Sequence, residues 1–191
     1  MLLTKDIFEI VIHGRGGQGA KTAGQLIAEA AMEKGKYIQA FPEYGPERSG
    51  APMKSFVRIS DKPIKTSQPV TNPDVVMVID PSLIFFINAN GGLRKNSVLI
   101  VNSSEKPEEI KKHVKFEGNV YVVDATGISI RHLGRNLPNM PMLGALAKVT
   151  NVVDIESLAG RVMKKFIKKL GREKTEANVS AIREGYKKVV L

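Results

Sequence analysis

Six short apolar runs alternate with polar and glycine-rich stretches along the 191 residues of this chain. They occupy residues 7–12, 37–41, 55–59, 75–79, 97–101 and 119–123. β-Branched and aromatic residues are frequent in these runs, which favours strands at this length. Several runs are apolar at consecutive positions, a pattern typical of a sheet that is covered on both faces. The pattern therefore predicts about six strands.

Helical spacing occupies segments between and after these runs. The predicted helices cover residues 20–34, 106–114, 139–150 and 155–170. In the last of them an apolar stripe faces one way, and four lysines face the other: Lys164, Lys165, Lys168 and Lys169. This order of strands and helices predicts an α/β fold, with one three-layer α/β/α domain over residues 1–191 and a mostly parallel or mixed sheet.

A glycine-rich turn joins the first predicted strand to the first predicted helix. It consists of Gly14, Arg15, Gly16, Gly17, Gln18 and Gly19. Glycines let the backbone turn tightly and let an anion approach the main-chain amides, and the following helix points its N–H groups at the same place. The layout predicts a phosphate-binding loop. A turn that only lets the strand and the helix pack together is the structural alternative.

Two known motifs compete for this turn. Its spacing satisfies G-x-G-x-x-G, the dinucleotide fingerprint, and Glu43 after the second strand could hold a ribose. The stand-alone dehydrogenase that this would imply needs an NAD cofactor. The turn also nearly satisfies the P-loop pattern, but Ala20 displaces Lys21 and Thr22 by one residue, which disfavours an ordinary ATPase.

Residues 41–52 carry three prolines and two glycines, and they predict a loop, because proline has no N–H to continue a ladder. The loop would leave the second strand at its carboxyl end, where ligands of open α/β sheets usually lie. Arg48 could pair with a phosphate there, and Ser49 and Gly50 could offer a hydroxyl and an amide. The alternative is a rigid turn whose arginine is solvated or paired with a neighbouring glutamate.

The net charge of +10 is concentrated near the carboxyl terminus, where residues 161–191 include ten basic and three acidic side chains. A lysine face on an amphipathic helix is usually solvated. Docking to acidic partner subunits, or attraction of a polyanionic ligand, would also use this charge. Nucleic-acid binding is disfavoured, since the chain has no tryptophan and its phenylalanines lie in apolar runs.

Cysteine is absent, so this chain cannot ligate an iron–sulfur cluster, form a disulfide or use a thiol nucleophile. The first residues lack the apolar core of a signal peptide, and no apolar run approaches the roughly 20 residues of a membrane helix. We therefore expect a cytoplasmic protein that does not enter a membrane.

Candidates for catalysis or metal binding are weak. His13 could act as a base beside the glycine turn, but a histidine that ends a buried strand is more often structural. His113 and His132 lack companions at ligand spacing, so no metal site is predicted. Asp80 could cap the following helix or face the ligand crevice. Asn139 and Met140 are expected in subunit packing, and the alternative is that the same crevice reaches them. No catalytic residue is assigned.

Taken together, the glycine turn and the segment QAFPEYGPERSGAP resemble the gamma subunits of pyruvate and related 2-oxoacid:ferredoxin oxidoreductases. The similarity continues through Asp80-Pro81, Pro138-Asn139-Met140, the run from Met142 to Leu146, Glu176-Ala177-Asn178 and Gly185-Tyr186. It covers nearly the whole chain.

This resemblance implies a subunit that joins alpha, beta and delta subunits and has no activity alone. The reaction converts pyruvate, coenzyme A and oxidised ferredoxin into acetyl-CoA, carbon dioxide and reduced ferredoxin. Thiamine diphosphate, magnesium and the [4Fe-4S] clusters would be held by the partner subunits. The gamma chain would contribute to coenzyme A binding and assembly through Gly14–Gly19, Arg48, Ser49 and Gly50. Alternatives are another 2-oxoacid (2-oxoisovalerate, 2-oxoglutarate or indolepyruvate) or a purely structural subunit.

Overall fold

The computed structural model describes residues 6–44, 50–86 and 93–191. In these ranges the strands are β1 (Ile7–Arg15), β2 (Tyr37–Tyr44), β3 (Pro52–Ser60), β4 (Val75–Val78), β5 (Val98–Asn102) and β6 (Asn119–Val123). The α-helices are α1 (Ala20–Glu33), α2 (Pro107–Val114), α3 (Ala125–Leu133), α4 (Asn139–Thr150), α5 (Ile155–Leu170) and α6 (Arg172–Lys188). A 3₁₀ helix (Pro81–Phe86) follows β4.

All six strands form one mixed sheet in the order β2-β3-β1-β4-β5-β6. The pairs β1–β4, β4–β5 and β5–β6 are parallel, whereas β3 is antiparallel to both β1 and β2. Consequently β1, β2, β4, β5 and β6 all run the same way, and their carboxyl ends lie at one edge of the sheet. The predicted α/β fold with a mixed six-stranded sheet is confirmed.

Apolar residues cover the sheet on both faces. The larger cluster packs α1, α4, α5 and α6 against one face, with Ile10, Ile12, Met77 and Ile100 fully buried beneath them. A smaller cluster packs α2 and the 3₁₀ helix on the other face of β4, β5 and β6. Every residue of β4 is buried, because this central strand has helices on both sides.

Helices α4 and α6 approach each other closely through two glycines. A Cβ added at Gly144 would overlap the backbone of Ile182, and one added at Gly185 would overlap the backbone of Pro141. Only glycine allows this backbone contact. These motif residues therefore have a packing role.

Two sequence expectations are wrong in this region of the fold. The predicted loop 41–52 is shorter, because β2 continues through Pro42 to Tyr44 and β3 begins at Pro52. Pro42 is tolerated because β2 is an edge strand, which needs only one side of its backbone paired. The sequence analysis also gives no bounds for α6, and it does not predict α3. Its centre carries glycine, serine and β-branched residues, which are poor helix formers, although the Asp124 carboxylate caps it by accepting from Gly127 N.

The lysine face of α5 is only partly solvated, contrary to the simplest expectation. Lys164 Nζ lies 2.9 Å from Glu33 Oε1, and Lys165 Nζ lies 2.8 Å from Glu29 Oε1. Arg161 contacts both glutamates. Because Glu29 and Glu33 belong to α1, these ion pairs hold α5 beside the helix that follows the glycine turn. None of the helices in the described ranges is long and apolar enough to cross a membrane.

Candidate functional site

The glycine turn lies at the carboxyl edge of the sheet and opens α1. Gly17 and Gly19 have φ angles of 95° and 84°, which only glycine adopts without strain. Gly19 is the N-cap residue of α1, and no side chain caps the helix there. Gly14 lets the helix start close to the strand, since an added Cβ would come within 3.1 Å of Ala20 Cβ. The helix dipole and the first-turn amides of α1 thus point toward this edge, as the predicted anion site requires.

The β2–β3 connection contacts the glycine turn directly. Gly16 N donates to Ala51 O over 3.1 Å, and the Arg15 guanidinium donates to Gly50 O over 3.3 Å. Gly50 is exposed and has a φ of 86°. Arg48 and Ser49 lie outside the described residues, and their predicted role stays a prediction. The structure does bring Gly50, which belongs to the same predicted group, to the glycine turn.

Asp80 joins the glycine turn to the end of β4. Its Oδ2 accepts a hydrogen bond from Gln18 Nε2 (2.5 Å) and lies 3.4 Å from Arg15 Nε. Its Oδ1 accepts from both the backbone N and the hydroxyl of Ser82, at 2.9 and 2.5 Å. Asp80 therefore caps the 3₁₀ helix and faces the crevice, which the sequence analysis left as alternatives. Sequence reasoning missed its contact with Arg15 and Gln18.

Asn139 packs against the start of α1 and is another contact that sequence reasoning missed. Its amide Nδ2 lies 3.5 Å from Gly19 O, and a Cβ at Gly19 would overlap the Asn139 side chain. Both Asn139 and Met140 are buried within this chain. The expectation that they serve subunit packing is therefore wrong for these two side chains. Pro138, the N-cap residue, marks the start of α4, but it gives no sign of the contact between Asn139 and Gly19.

The geometry disfavours the dinucleotide fingerprint. In that motif the acid that binds the ribose sits at the end of the strand next to β1. Here the antiparallel β3 separates β2 from β1, so Glu43 is two strands away, roughly 10 Å at the usual strand spacing. Glu43 Oε1 lies 4.0 Å from Lys54 Nζ instead. The glycine spacing is therefore used without the ribose-binding acid.

His132 and His113 each lie beside the carboxylate of one glutamate. His132 Nε2 lies 2.5 Å from Glu184 Oε2, and His113 Nε2 lies 3.6 Å from Glu105 Oε2. Residues 6–44, 50–86 and 93–191 contain no group of three or more histidine and acidic side chains that could hold a metal ion.

His13 lies on β1 immediately before the glycine turn. Burial, together with the positive charge of Lys54 on β3, lowers the pKa of His13 from 6.5 to about 4. The imidazole is therefore neutral near pH 7, and the partly exposed Lys54 supplies a positive charge at this edge. The low pKa makes His13 a weak base, which disfavours its role as a general base.

Acidification should destabilise the chain through His13. The pKa of His13 is lower in the folded chain than in the unfolded chain, so the unfolded chain binds the proton first as the pH falls. The free energy of unfolding therefore decreases as the pH falls from about 6.5 to 4. We expect a loss of about 2 kcal/mol, discounted for partial exposure. Urea unfolding at several pH values should show His13→Gln gaining stability relative to the unmodified chain on acidification. Lys54→Met should remove part of the slope, and parallel profiles would contradict the expectation.

Comparisons with known proteins agree with the motif resemblance. The family described as pyruvate ferredoxin/flavodoxin oxidoreductase matches residues 9–188. The chain is 49% identical to pyruvate synthase subunit PorC of Thermotoga maritima over 189 residues, which cover 99% of this chain and 98% of the relative. It is 43% identical to the pyruvate/ketoisovalerate oxidoreductases common subunit gamma of Thermococcus kodakarensis, with 97% and 98% covered.

Solved structures agree at the level of the fold. The crystal structure of pyruvate oxidoreductase subunit PORC from Thermotoga maritima superposes with a TM-score of 0.87 at 46% identity, covering 97% of this chain and 98% of that one. A 2-oxoglutarate:ferredoxin oxidoreductase from Magnetococcus marinus, with 2-oxoglutarate, coenzyme A and succinyl-CoA bound, matches with a TM-score of 0.79 at 22% identity. That match covers 95% of this chain but 31% of the larger chain, and it shows a shared fold.

Proposed function

The chain belongs to the pyruvate ferredoxin/flavodoxin oxidoreductase family as a gamma-type subunit, and from that premise we propose that it helps to bind coenzyme A in a pyruvate:ferredoxin oxidoreductase. The complex would contain alpha, beta and delta subunits and would act in the cytoplasm with ferredoxin as electron acceptor. Thiamine diphosphate, magnesium and the [4Fe-4S] clusters would lie in those partners. This chain, which has no cysteine, would contribute binding and assembly.

One observation carries the coenzyme A proposal: an uncapped helix N-terminus in a glycine turn, at the sheet edge where α/β proteins bind ligands. Coenzyme A carries a diphosphate and a 3′-phosphate. Arg15 N, Gly16 N and Gln18 N already donate within the chain, so the turn Gly14–Gly19 would hold the diphosphate through the amides of Gly17 and Gly19 and of the first turn of α1. The match to an enzyme with coenzyme A bound is consistent with this role, although it supports only the fold.

The second wall of this site would come from the β2–β3 connection. Gly50 and Ala51 already contact the glycine turn. In the proposal Arg48 pairs with a phosphate, and Ser49 and Gly50 offer a hydroxyl and an amide. Lys54 on β3 adds positive charge to the same edge.

Pyruvate is the proposed 2-oxoacid because the relative at 49% identity is a pyruvate synthase subunit. The Thermococcus relative is named for both pyruvate and ketoisovalerate oxidoreductases, so 2-oxoisovalerate is the first alternative. 2-Oxoglutarate and indolepyruvate are further alternatives. A purely structural subunit, whose glycine turn contacts only protein, is the alternative of another kind.

A pair of glycine substitutions in the assembled complex tests coenzyme A binding. Gly17→Ala should raise the KM for coenzyme A about tenfold, because the new Cβ distorts the turn and enters the space proposed for the diphosphate. Gly35→Ala, at the other end of α1, is the matched control. Both glycines have positive φ, and a Cβ at either meets no described atom within 4 Å. Each variant should lose about 1 kcal/mol of stability from backbone strain, but only Gly17→Ala should change the KM.

The same kinetic comparison separates the alternatives. Arg48→Ala should also raise the KM for coenzyme A, with Arg172→Ala on the exposed surface of α6 as its control. A KM for coenzyme A that is unchanged in Gly17→Ala and Arg48→Ala would contradict the proposal. If Gly17→Ala instead lowers recovery of the complex and leaves the KM unchanged, the purely structural role is supported.

A further inference from the structure

The carboxylate of Asp80 connects the 3₁₀ helix that directly follows it with the glycine turn, whose Gln18 is 62 residues away in the chain. Through Oδ2 it reaches Gln18 and Arg15 of the glycine turn, and through Oδ1 it reaches Ser82 of the 3₁₀ helix. Asp80 is placed beside the turn because β4 is parallel to β1, and Ile79 N continues this pairing by donating to His13 O over 2.8 Å. The side chain is only 13% exposed.

These contacts link Asp80 to both Gln18 and Arg15 of the glycine turn. Gln18, held by Asp80, accepts a hydrogen bond from Arg15 N through Oε1 at 2.8 Å, which closes the turn on itself. The Arg15 guanidinium donates to the Ser82 hydroxyl at 2.9 Å and to Gly50 O. One carboxylate therefore organises both the turn and its link to the β2–β3 connection.

Arg15 is already neutralised and oriented by this cluster. Its guanidinium has an acidic partner, a hydroxyl and a carbonyl around it within the chain. Burial raises the pKa of Asp80, but the hydrogen bonds from Ser82 and Gln18 and the charge of Arg15 outweigh burial and hold it below its usual value. Asp80 thus stays ionised near neutral pH and keeps Arg15 in place.

We infer that Asp80 is a positioning residue for coenzyme A: it holds the glycine turn in its binding conformation and joins that turn, through Arg15, to the wall at Gly50. The inference rests on the proposed function. Arg15 then acts on the ligand through the shape of the turn and not as a direct phosphate partner. The amides of the turn are aimed before the ligand arrives, which lowers the ordering cost of binding.

Asp80→Asn in the assembled complex tests this role. Asparagine can still accept from Ser82 through its oxygen, but its NH₂ group would face the donors of Gln18 and Arg15. We expect the KM for coenzyme A to rise about tenfold, with kcat within about twofold and the KM for pyruvate unchanged. A merely structural role would lower the yield or stability of the complex without this selective change.

Asp154→Asn is the matched control for this variant. Asp154 caps α5 by accepting from the backbone N and the hydroxyl of Ser157, at 2.8 and 2.7 Å, and it lies 3.4 Å from Lys34 Nζ. It reproduces the serine and cation contacts of Asp80 away from the glycine turn. Asp154→Asn should therefore leave the KM for coenzyme A unchanged. An equal rise in both variants would overturn the inference.

Two further variants complete the test. Ser82→Ala keeps the carboxylate and removes one hydroxyl contact, so it should give a smaller rise in the KM and serves if Asp80→Asn fails to assemble. Arg15→Gln combined with Asp80→Asn should give no larger rise than Asp80→Asn alone, because the two residues act as one unit. If the double variant instead raises the KM for coenzyme A by the product of the two single-variant effects, Arg15 is a direct phosphate partner and the inference is overturned.

If Gly17→Ala raises the KM for coenzyme A while Asp80→Asn does not, the inference fails and the coenzyme A proposal stands. If neither does, both fail.

Discussion

Arg58→Met is expected to lower the free energy of unfolding by about 3 to 5 kcal/mol, because it removes a buried guanidinium that donates to Glu9, Gln39 and Gln68. The Arg58 side chain is only 2% exposed, and its Nε donates to Glu9 Oε1 over 2.9 Å. Its other nitrogens donate to the Gln39 side chain and to Gln68 O, and the guanidinium lies 5.8 Å from the centre of the Phe41 ring. Methionine restores the volume but none of these polar contacts.

Urea denaturation of the purified chain measures this effect. Lys36→Met is the control, because Lys36 pairs with the largely exposed Asp61, which directly follows β3, the strand that carries Arg58. An exposed ion pair contributes about 1 kcal/mol or less. A loss of less than about 1 kcal/mol for Arg58→Met would contradict the expectation that these buried contacts of Arg58 stabilise the fold.

Gly144→Ala is expected to destabilise the chain by about 3 to 4 kcal/mol. The added Cβ would overlap the backbone of Ile182 in α6, and a backbone cannot move aside as a flexible side chain can. Separating α4 from α6 would also open the core around Met142 and Leu146, which are fully buried. The midpoint of thermal unfolding should fall, and Gly185→Ala should act in the same direction from the other helix.

Gly160→Ala is the matched control, since Gly160 also lies inside an α-helix but a Cβ there meets no described atom within 4 Å. Alanine is a better helix former than glycine, so this variant should gain about 0.5 to 1 kcal/mol. The same substitution should thus have opposite signs in α4 and α5. Similar small effects in both would mean that α4 and α6 can separate at little cost.

Local patterns in the sequence predict most of the elements. The strand at 119–123 and the helices at 139–150 and 155–170 have the predicted bounds, because apolar periodicity and clear end signals coincide there. The continuation of β2 to Tyr44 and the helices α3 and α6 are not predicted. Proline interrupts interior strands, but β2 is an edge strand and tolerates Pro42. Helix α3 is held by tertiary packing in spite of weak helix propensity.

One part of the candidate site can be found from the sequence, and another part cannot. The glycine turn is found from the sequence, because it needs a local backbone conformation that only glycine adopts without strain. Its partners are not found in this way. Asp80 is 62 residues from Gln18, and Asn139 is 120 residues from Gly19. No local spacing connects such residues, and an aspartate before proline resembles an ordinary helix cap.

The amino-acid sequence by itself determined the α/β class, the position of the glycine turn and the family, because these depend on local periodicity and on motifs that are continuous in the chain. Only the tertiary structure decided that β3 inserts between β1 and β2, that Arg58 is buried with Glu9, and that Asp80 holds the glycine turn. These features depend on strand order and packing between distant segments. Contacts between such segments stabilise the chain only after the sheet has brought the segments together.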